Sequence, residues 1–318
     1  MDTTKKQPRK LGTPAEETTT IAGVEFKKRV GEFRNVPPKR PYVFSQRLVE
    51  NIKVGIDLAM NIIFTGPTGT GKTSIVTAIA HEINQPVIRF NCDGETRVSN
   101  LRGMMKPTSK DGVLSLMFSR GDLAIAMQEG YWVLFDEIDA ALPSVLFVLQ
   151  SVLEEDKREL HIPETGETIR ASEHFRIFGT GNTIGFRAQH RAKHAGTNPM
   201  NQAFVDRFGM VIAVSYPSKD EETKRISVHV PSLDPVYLEG IARTGALLRA
   251  DEKFKADLST RRLIQWAKLV EAFDGNVLRA ADLAFLRKLD TPADAKVARE
   301  TIGRIFGYSE KEMSEEGV

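Results

Sequence analysis

The stretch Asn61-Ile62-Ile63-Phe64-Thr65-Gly66-Pro67-Thr68-Gly69-Thr70-Gly71-Lys72-Thr73 decides the fold. Its first five residues are apolar in the middle and run into glycines, which reads as a buried parallel strand ending in a turn. Behind it Ile75, Val76, Ile79, Ala80 and Ile83 recur on one face of a helix that starts near Lys72. Strand, glycine turn and helix are the parts of a phosphate-binding loop, and Gly66 to Thr73 satisfies G-x-x-x-x-G-K-[ST]. In such a loop Gly66, Pro67, Thr68, Gly69, Thr70 and Gly71 wrap the phosphates, and the backbone N–H groups of all but Pro67, which has none, turn toward phosphate oxygens. Lys72 adds a cation at the β and γ phosphates, and Thr73 offers a hydroxyl to Mg2+. The expected cofactors are therefore ATP and Mg2+.

Outward from the loop the alternation of strand and helix continues. Pro86 to Phe90, Tyr131 to Phe135, Phe175 to Phe178 and Met210 to Val214 read as further core strands. Leu123 to Met127 reads as part of a helix, and Leu142, Val145, Leu146, Leu149 and Leu153 as a helix face with Pro143 in its first turn. Upstream, Leu48, Ile52, Ile56 and Ala59 keep helical spacing behind Ser45, a candidate cap. Leu160 to Ile162 and Thr168 to Arg170 flank Pro-Glu-Thr-Gly-Glu, the signature of a hairpin. After Pro217 strand signals stop, and 219 to 229, 235 to 248, 260 to 273 and 295 to 305 read as helices.

The fold class is thus α/β: a parallel-sheet P-loop core with helices on both faces, then a small all-helical lid domain. The expected division is a flexible segment over 1–40, the nucleotide-binding domain over 41–217, and the lid with a C-terminal tail over 218–318. Residues 1 to 20 are rich in Thr, Lys, Glu and Pro and read as a mobile tail.

Charge and composition narrow the partners. The 44 Lys and Arg nearly balance 42 Asp and Glu, so nucleic acid is not the expected partner. One cysteine, Cys92, excludes an intrachain disulfide and a multi-Cys zinc site, which suits the reducing cytoplasm. No apolar run reaches the about 18 residues of a membrane span, and no hydrophobic segment follows the charged start. His190 and His194 stand four apart, but Arg-Ala-Lys between them lacks the Glu of a metal-binding helix, so no metal is read there. The basic stretch Arg187 to Lys193 reads as a solvated loop.

Three further segments carry chemistry. Trp132-Val133-Leu134-Phe135-Asp136-Glu137 is an apolar strand ending in two carboxylates, with Asp136 placed to hold Mg2+ through its waters and Glu137 to act as general base. Asp139 reads as a surface or interface acid. Ile177-Phe178-Gly179-Thr180-Gly181-Asn182 ends in an amide; Asn182 either orients the attacking water, contacts the γ phosphate, or only closes a turn. Arg207, in Phe204-Val205-Asp206-Arg207-Phe208, either reaches a neighbouring subunit's nucleotide or pairs within the chain. Arg261 and Arg262 open a lid helix, where one touches phosphate or both are surface charges.

This ordered series resembles the AAA+ ATPases, and within them the MoxR branch and the small ATPase subunits of aerobic cobaltochelatase. Asn91-Cys92-Asp93, Phe135-Asp136-Glu137-Ile138-Asp139, Gly196-Thr197-Asn198-Pro199-Met200-Asn201-Gln202, Asp206-Arg207-Phe208 and Ser259-Thr260-Arg261 before Ile264-Gln265-Trp266 carry the resemblance. It spans about residues 40 to 308. It implies ATP hydrolysis in a hexameric ring, ATP between subunits, Arg207 acting in trans and Arg261 as a sensor on the lid side. It also implies that segments near Gly103 to Leu116 and Leu160 to Arg170 project to engage a partner, typically a von Willebrand A domain protein. The task implied is remodelling a partner or driving metal insertion. Two other readings stay open: a nucleotide-gated scaffold with little turnover, against which the retained carboxylates and Arg speak, and a DNA-directed AAA+ ATPase, against which the near-neutral charge speaks.

Overall fold

The computed structural model describes residues 17–92, 96–110, 113–181 and 202–309. Asn182, His190, His194, the Arg187 to Lys193 stretch and residues 196 to 201 of the family-like segment lie outside them.

In chain order the first part comprises β1 (Glu17–Ile21), β2 (Val24–Lys28), α1 (Gln46–Asp57), β3 (Ile62–Thr65), α2 (Lys72–Glu82), β4 (Val87–Asn91), α3 (Val98–Arg102), β5 (Gly103–Lys110), β6 (Val113–Arg120) and α4 (Asp122–Glu129). There follow β7 (Trp132–Asp136), α5 (Pro143–Leu153), β8 (Glu159–Ile162), β9 (Glu167–Arg170), β10 (Arg176–Gly181), α6 (Gln202–Val205) and β11 (Met210–Ala213). Five of these strands form one parallel sheet in the order β11-β3-β10-β7-β4. Because side chains alternate along a strand, Ile63, Val133, Phe135 and Ile177 enter the core on one face with α4 and α5. Ile62, Phe64, Trp132, Leu134 and Phe178 enter the other, against α1 and α2. Burial on both faces explains the unbroken apolar runs.

Five α-helices follow among the described residues: α7 (Lys219–Ser227), α8 (Pro235–Ala250), α9 (Thr260–Ala272), α10 (Val277–Ala284) and α11 (Pro292–Phe306). Each starts at a side chain that accepts a backbone N–H of its first turn, namely Ser218, Asp234, Ser259, Asn276 and Thr291. Trp266 and Phe285 centre their core. Helix α10 has no counterpart in the sequence reading: it is only eight residues long, and three of its inward residues are alanines. Tertiary contact holds it, with the Trp266 Nε1–H donating to the Val277 carbonyl at 3.0 Å.

Residues 17–40 depart from the expected flexible segment. Strands β1 and β2 pair across a two-residue turn at Ala22 and Gly23, both at positive φ, and Ile21 and Phe26 are buried beside Val49 and Ile52. The Arg29 guanidinium reaches the Gly130 carbonyl at 3.1 Å, and the Asn35 carbonyl accepts the N–H of Val87 at 2.8 Å. A strand reading Glu-Thr-Thr-Thr-Ile looks like tail because only its last residue faces inward. Helix α1 also differs in detail: Val49, Ile52 and Gly55 face the core, Ala59 turns at positive φ outside the helix, and the Ser45 side chain makes no cap hydrogen bond.

The ribbon β5–β6 extends the expected insert to Arg120. Its cross-strand pairs put Met105 with Phe118, Pro107 with Leu116 and Ser109 with Leu114 on one face. Phe118 packs on the core, whereas Leu114 and Leu116 are 78% and 66% exposed. The hairpin β8–β9 forms where expected.

Replacing Phe26 by Ala should lower unfolding stability by about 3 kcal/mol in urea denaturation, the usual cost of emptying a buried aromatic site. A loss below about 1 kcal/mol would show that the hairpin is not part of the core.

Candidate nucleotide site

All five sheet strands run in one direction, so their carboxyl ends share one edge of the sheet, the place where open α/β folds hold ligands. The loop Gly66 to Gly71 leaves β3 at that edge and becomes α2 at Lys72. Two glycines fix its path. Gly66 has φ +137° and a Cβ there would run into the Val214 carbonyl oxygen; Gly69 has φ +75° and a Cβ there would run into the Ser259 side chain. The loop is thus clasped between the chain just after β11 and the N-cap of α9.

Loop side chains and carbonyls are tied down individually. The Thr70 hydroxyl donates to the Pro67 carbonyl at 3.0 Å. The Thr68 carbonyl accepts the Tyr216 hydroxyl at 3.2 Å, and the Thr70 carbonyl the Arg225 guanidinium at 3.3 Å. Lys72 Nζ donates to the carbonyls of Gly66 at 2.7 Å and Pro67 at 2.9 Å. Burial pushes the Lys72 ammonium below the usual lysine range, opposed by the fields of Asp139, Asp136 and Glu137. Beside Gly71, Tyr42 is half-buried and its hydroxyl is pushed up to about 12 by desolvation, so it stays neutral.

The two acids come together with the loop as the sequence reading expects. Asp136 ends β7, and its Oδ1 accepts the Thr73 hydroxyl at 2.6 Å and the Thr180 hydroxyl as well. Its Oδ2 pairs with the Arg89 guanidinium. Glu137 then breaks the strand at φ +55°, a left-handed conformation that costs a non-glycine residue about 1 kcal/mol or more. That turn exposes its carboxylate beside the buried Asp136. The Glu137 N–H donates to the Thr180 hydroxyl at 3.1 Å, so one side chain bridges both acids.

Other candidates fall out differently. Asp139 is buried beside Gly181 and acts on Lys72, a correction to its reading as a surface or interface acid; the turn after Glu137 folds it inward. Arg261 is exposed in the first turn of α9, whose cap Ser259 lies against Gly69. Arg207 is not brought to the loop of its own chain. Its Nη1 donates to the Ala203 carbonyl at 2.5 Å, and its carbonyl accepts the Asn61 amide at 2.9 Å. Asn61 precedes β3 and Gly66 follows it, so about 16 Å of extended chain separates the two.

Residue-by-residue reading missed six contributors. Thr180 and Arg89 hold Asp136. Tyr216 holds the loop, and Arg249 lies 4.0 Å over its ring while pairing with the buried Glu222 at 2.5 Å. Glu222 also accepts the Thr260 hydroxyl at 2.8 Å, which closes a circuit from the loop to α7, α8 and α9. Only Thr180, a hydroxyl between two glycines at a strand end, carried a local signal.

Comparison with known proteins fits this geometry. The family model described as AAA domain (dynein-related subfamily) matches residues 61–208. Over 307 residues the chain is 32% identical to the aerobic cobaltochelatase subunit CobS of Sinorhizobium sp, spanning 92% of this chain and 91% of that one. Midasin of Giardia intestinalis is 29% identical over 268 residues, which cover 80% of this chain and 5% of midasin. Among solved structures, a proline-to-glycine mutant of Thermotoga maritima RuvB aligns with TM-score 0.51 over 86% of this chain and 82% of that one, at 13% identity, a likeness of fold alone. No helix among the described residues is long and apolar enough to cross a membrane.

Replacing Thr180 by Val keeps the volume and removes the hydroxyl from both acids. Urea unfolding should report a loss of about 1–3 kcal/mol, the range for leaving buried partners unmet, while Thr180→Ser should retain most of the stability.

Proposed function

Because the chain belongs to the MoxR/CobS type of AAA+ ATPases, we propose that it binds Mg-ATP on Gly66 to Thr73 and hydrolyses it between subunits of a cytoplasmic, hexameric ring. The observation that carries this reading is the meeting of the Thr73 hydroxyl and the Asp136 carboxylate at 2.6 Å beneath the loop, with the exposed Glu137 carboxylate beside them.

The residues present fit the group. The glycine turns at Gly66 and Gly69 leave a cradle that a Cβ would fill, at the N-terminus of α2, where backbone N–H groups and the helix dipole favour phosphate. Lys72 exchanges the Gly66 and Pro67 carbonyls for phosphate oxygens. Thr73, by its hydroxyl, and Asp136 would hold the metal ion. Bound Mg2+ neutralises charge on the β and γ phosphates. Glu137 takes the proton from the attacking water, and Asn182 orients that water. Arg261 approaches the phosphates from the lid, where Ser259 already touches the loop.

Arg207 serves a neighbouring subunit's nucleotide. Its own loop lies at the far end of β3, so its guanidinium acts across a subunit boundary, adding positive charge as the transition state forms. The relative named above is a cobaltochelatase subunit; the corresponding task here is remodelling a partner protein or driving metal insertion. The exposed ribbon β5–β6 and the hairpin β8–β9 are the surfaces assigned to the partner, a von Willebrand A domain protein by family resemblance.

Replacing Glu137 by Gln should leave nucleotide binding within about twofold and cut steady-state phosphate release at least about 100-fold. Arg207→Ala and Lys72→Ala should each be inactive alone. Mixed, they should regain part of the activity, since a mixed interface can pair an intact loop with an intact Arg207. No recovery from the mixture would place Arg207 outside the shared site.

A further inference from the structure

Arg89 stands apart from the loop, the two acids and the lid arginine, yet it touches the carboxylate on which the site turns. It lies on β4, the edge strand of the sheet, opposite Leu134 of β7, while Asn91 is opposite Asp136. Arg89 and Asn91 therefore share a face, and the Arg89 side chain must run about 7 Å along the strand to reach Asp136. It ends on Oδ2, the oxygen that the two threonines leave to it, since the Thr73 and Thr180 hydroxyls both donate to Oδ1. The two partners differ sharply in exposure: the Arg89 side chain is 55% exposed and that of Asp136 is 9% exposed.

Charge decides what this contact does. A nearly buried carboxylate is stabilised by a counter-ion, and Arg89 supplies one. A divalent cation held through the waters of Asp136 would bring two more positive charges to the same group. The threonine hydroxyls are neutral and can stay beside a cation. A guanidinium on Oδ2 repels it, and an exposed side chain on an edge strand is free to swing into solvent.

We propose that Arg89 is a positioning counter-ion that competes with the divalent cation for Asp136, and so sets the cation concentration at which the site takes up nucleotide. The inference rests on the reading of this site as a Mg-nucleotide site. It makes Arg89 a brake on binding, lifted by the metal, and keeps Asp136 in its two-threonine clasp until then.

The test is a Mg2+ titration of the full chain at fixed concentration of a fluorescent, slowly hydrolysed ATP analogue, followed by fluorescence anisotropy. In Arg89→Gln the Mg2+ midpoint should fall about fivefold, the effect of removing a partly screened ion pair of about 1 kcal/mol. Arg89→Lys, which keeps the charge, should stay closer to the parent than Arg89→Gln does. A midpoint in Arg89→Gln that is unchanged or higher, or a gain in affinity that is equally large in EDTA, overturns the proposal. A parent protein that takes up no nucleotide at any Mg2+ concentration overturns the function proposed above, and this inference with it; a parent that responds to Mg2+ beside an unmoved Arg89→Gln overturns the Arg89 role alone.

Discussion

The carboxylate of Asp136 is the constraint around which the rest of the site is arranged. It ends a strand buried on both faces, so its charge needs partners, and three elements supply them: Thr73 from α2, Thr180 from β10 and Arg89 from β4. Those contacts fix the separation of the loop helix from the acidic strand without any ligand contact. The same anchoring lets Glu137 adopt a left-handed turn, because its N–H is received by the hydroxyl that already holds Asp136. Strain at one acid is tolerated because its neighbour is over-determined.

A second set of contacts ties the helical region to the loop. Ser259 against Gly69, Tyr216 on Thr68 and Arg225 on Thr70 touch successive parts of the turn. Behind them Glu222 gathers Arg249 and Thr260, joining three helices through one buried acid. Arg249 pairs with both Glu222 oxygens, so the burial of Glu222 is compensated, and removing Arg249 would strand a charge inside the protein. Any rearrangement of the loop is therefore felt directly by α7 and α9, and under the proposed function this is the route by which nucleotide chemistry would reach the helical region.

Much of this was legible in the sequence because the physics there is local. The buried strands announce themselves as apolar runs, the loop by glycines that must take positive φ, and α5 by Pro143 in its first turn. Asp136 and Glu137 stand out because two acids after an apolar strand serve no packing purpose. What escaped depends on tertiary placement. Arg89 looks like any charged residue on an exposed strand face until the register sets it beside β7. The hairpin of β1 and β2 rests on Ile21 and Phe26 amid polar residues, α10 on alanines, and Asp139 becomes buried only through the turn that Glu137 starts.

Strand β3 has a consequence beyond holding the loop. It is four residues long, hydrogen-bonded to β10 and β11 along both edges, and buried. At one end it carries Gly66; at the other, Asn61 grips the Leu153 and Arg207 carbonyls at 2.8 and 2.9 Å. Such a rod can be tilted but not stretched. A tilt imposed at the Gly66 end therefore appears, with opposite sense, at the Arg207 end; in the ring proposed above, that makes the strand a short lever whose two tips serve different nucleotides.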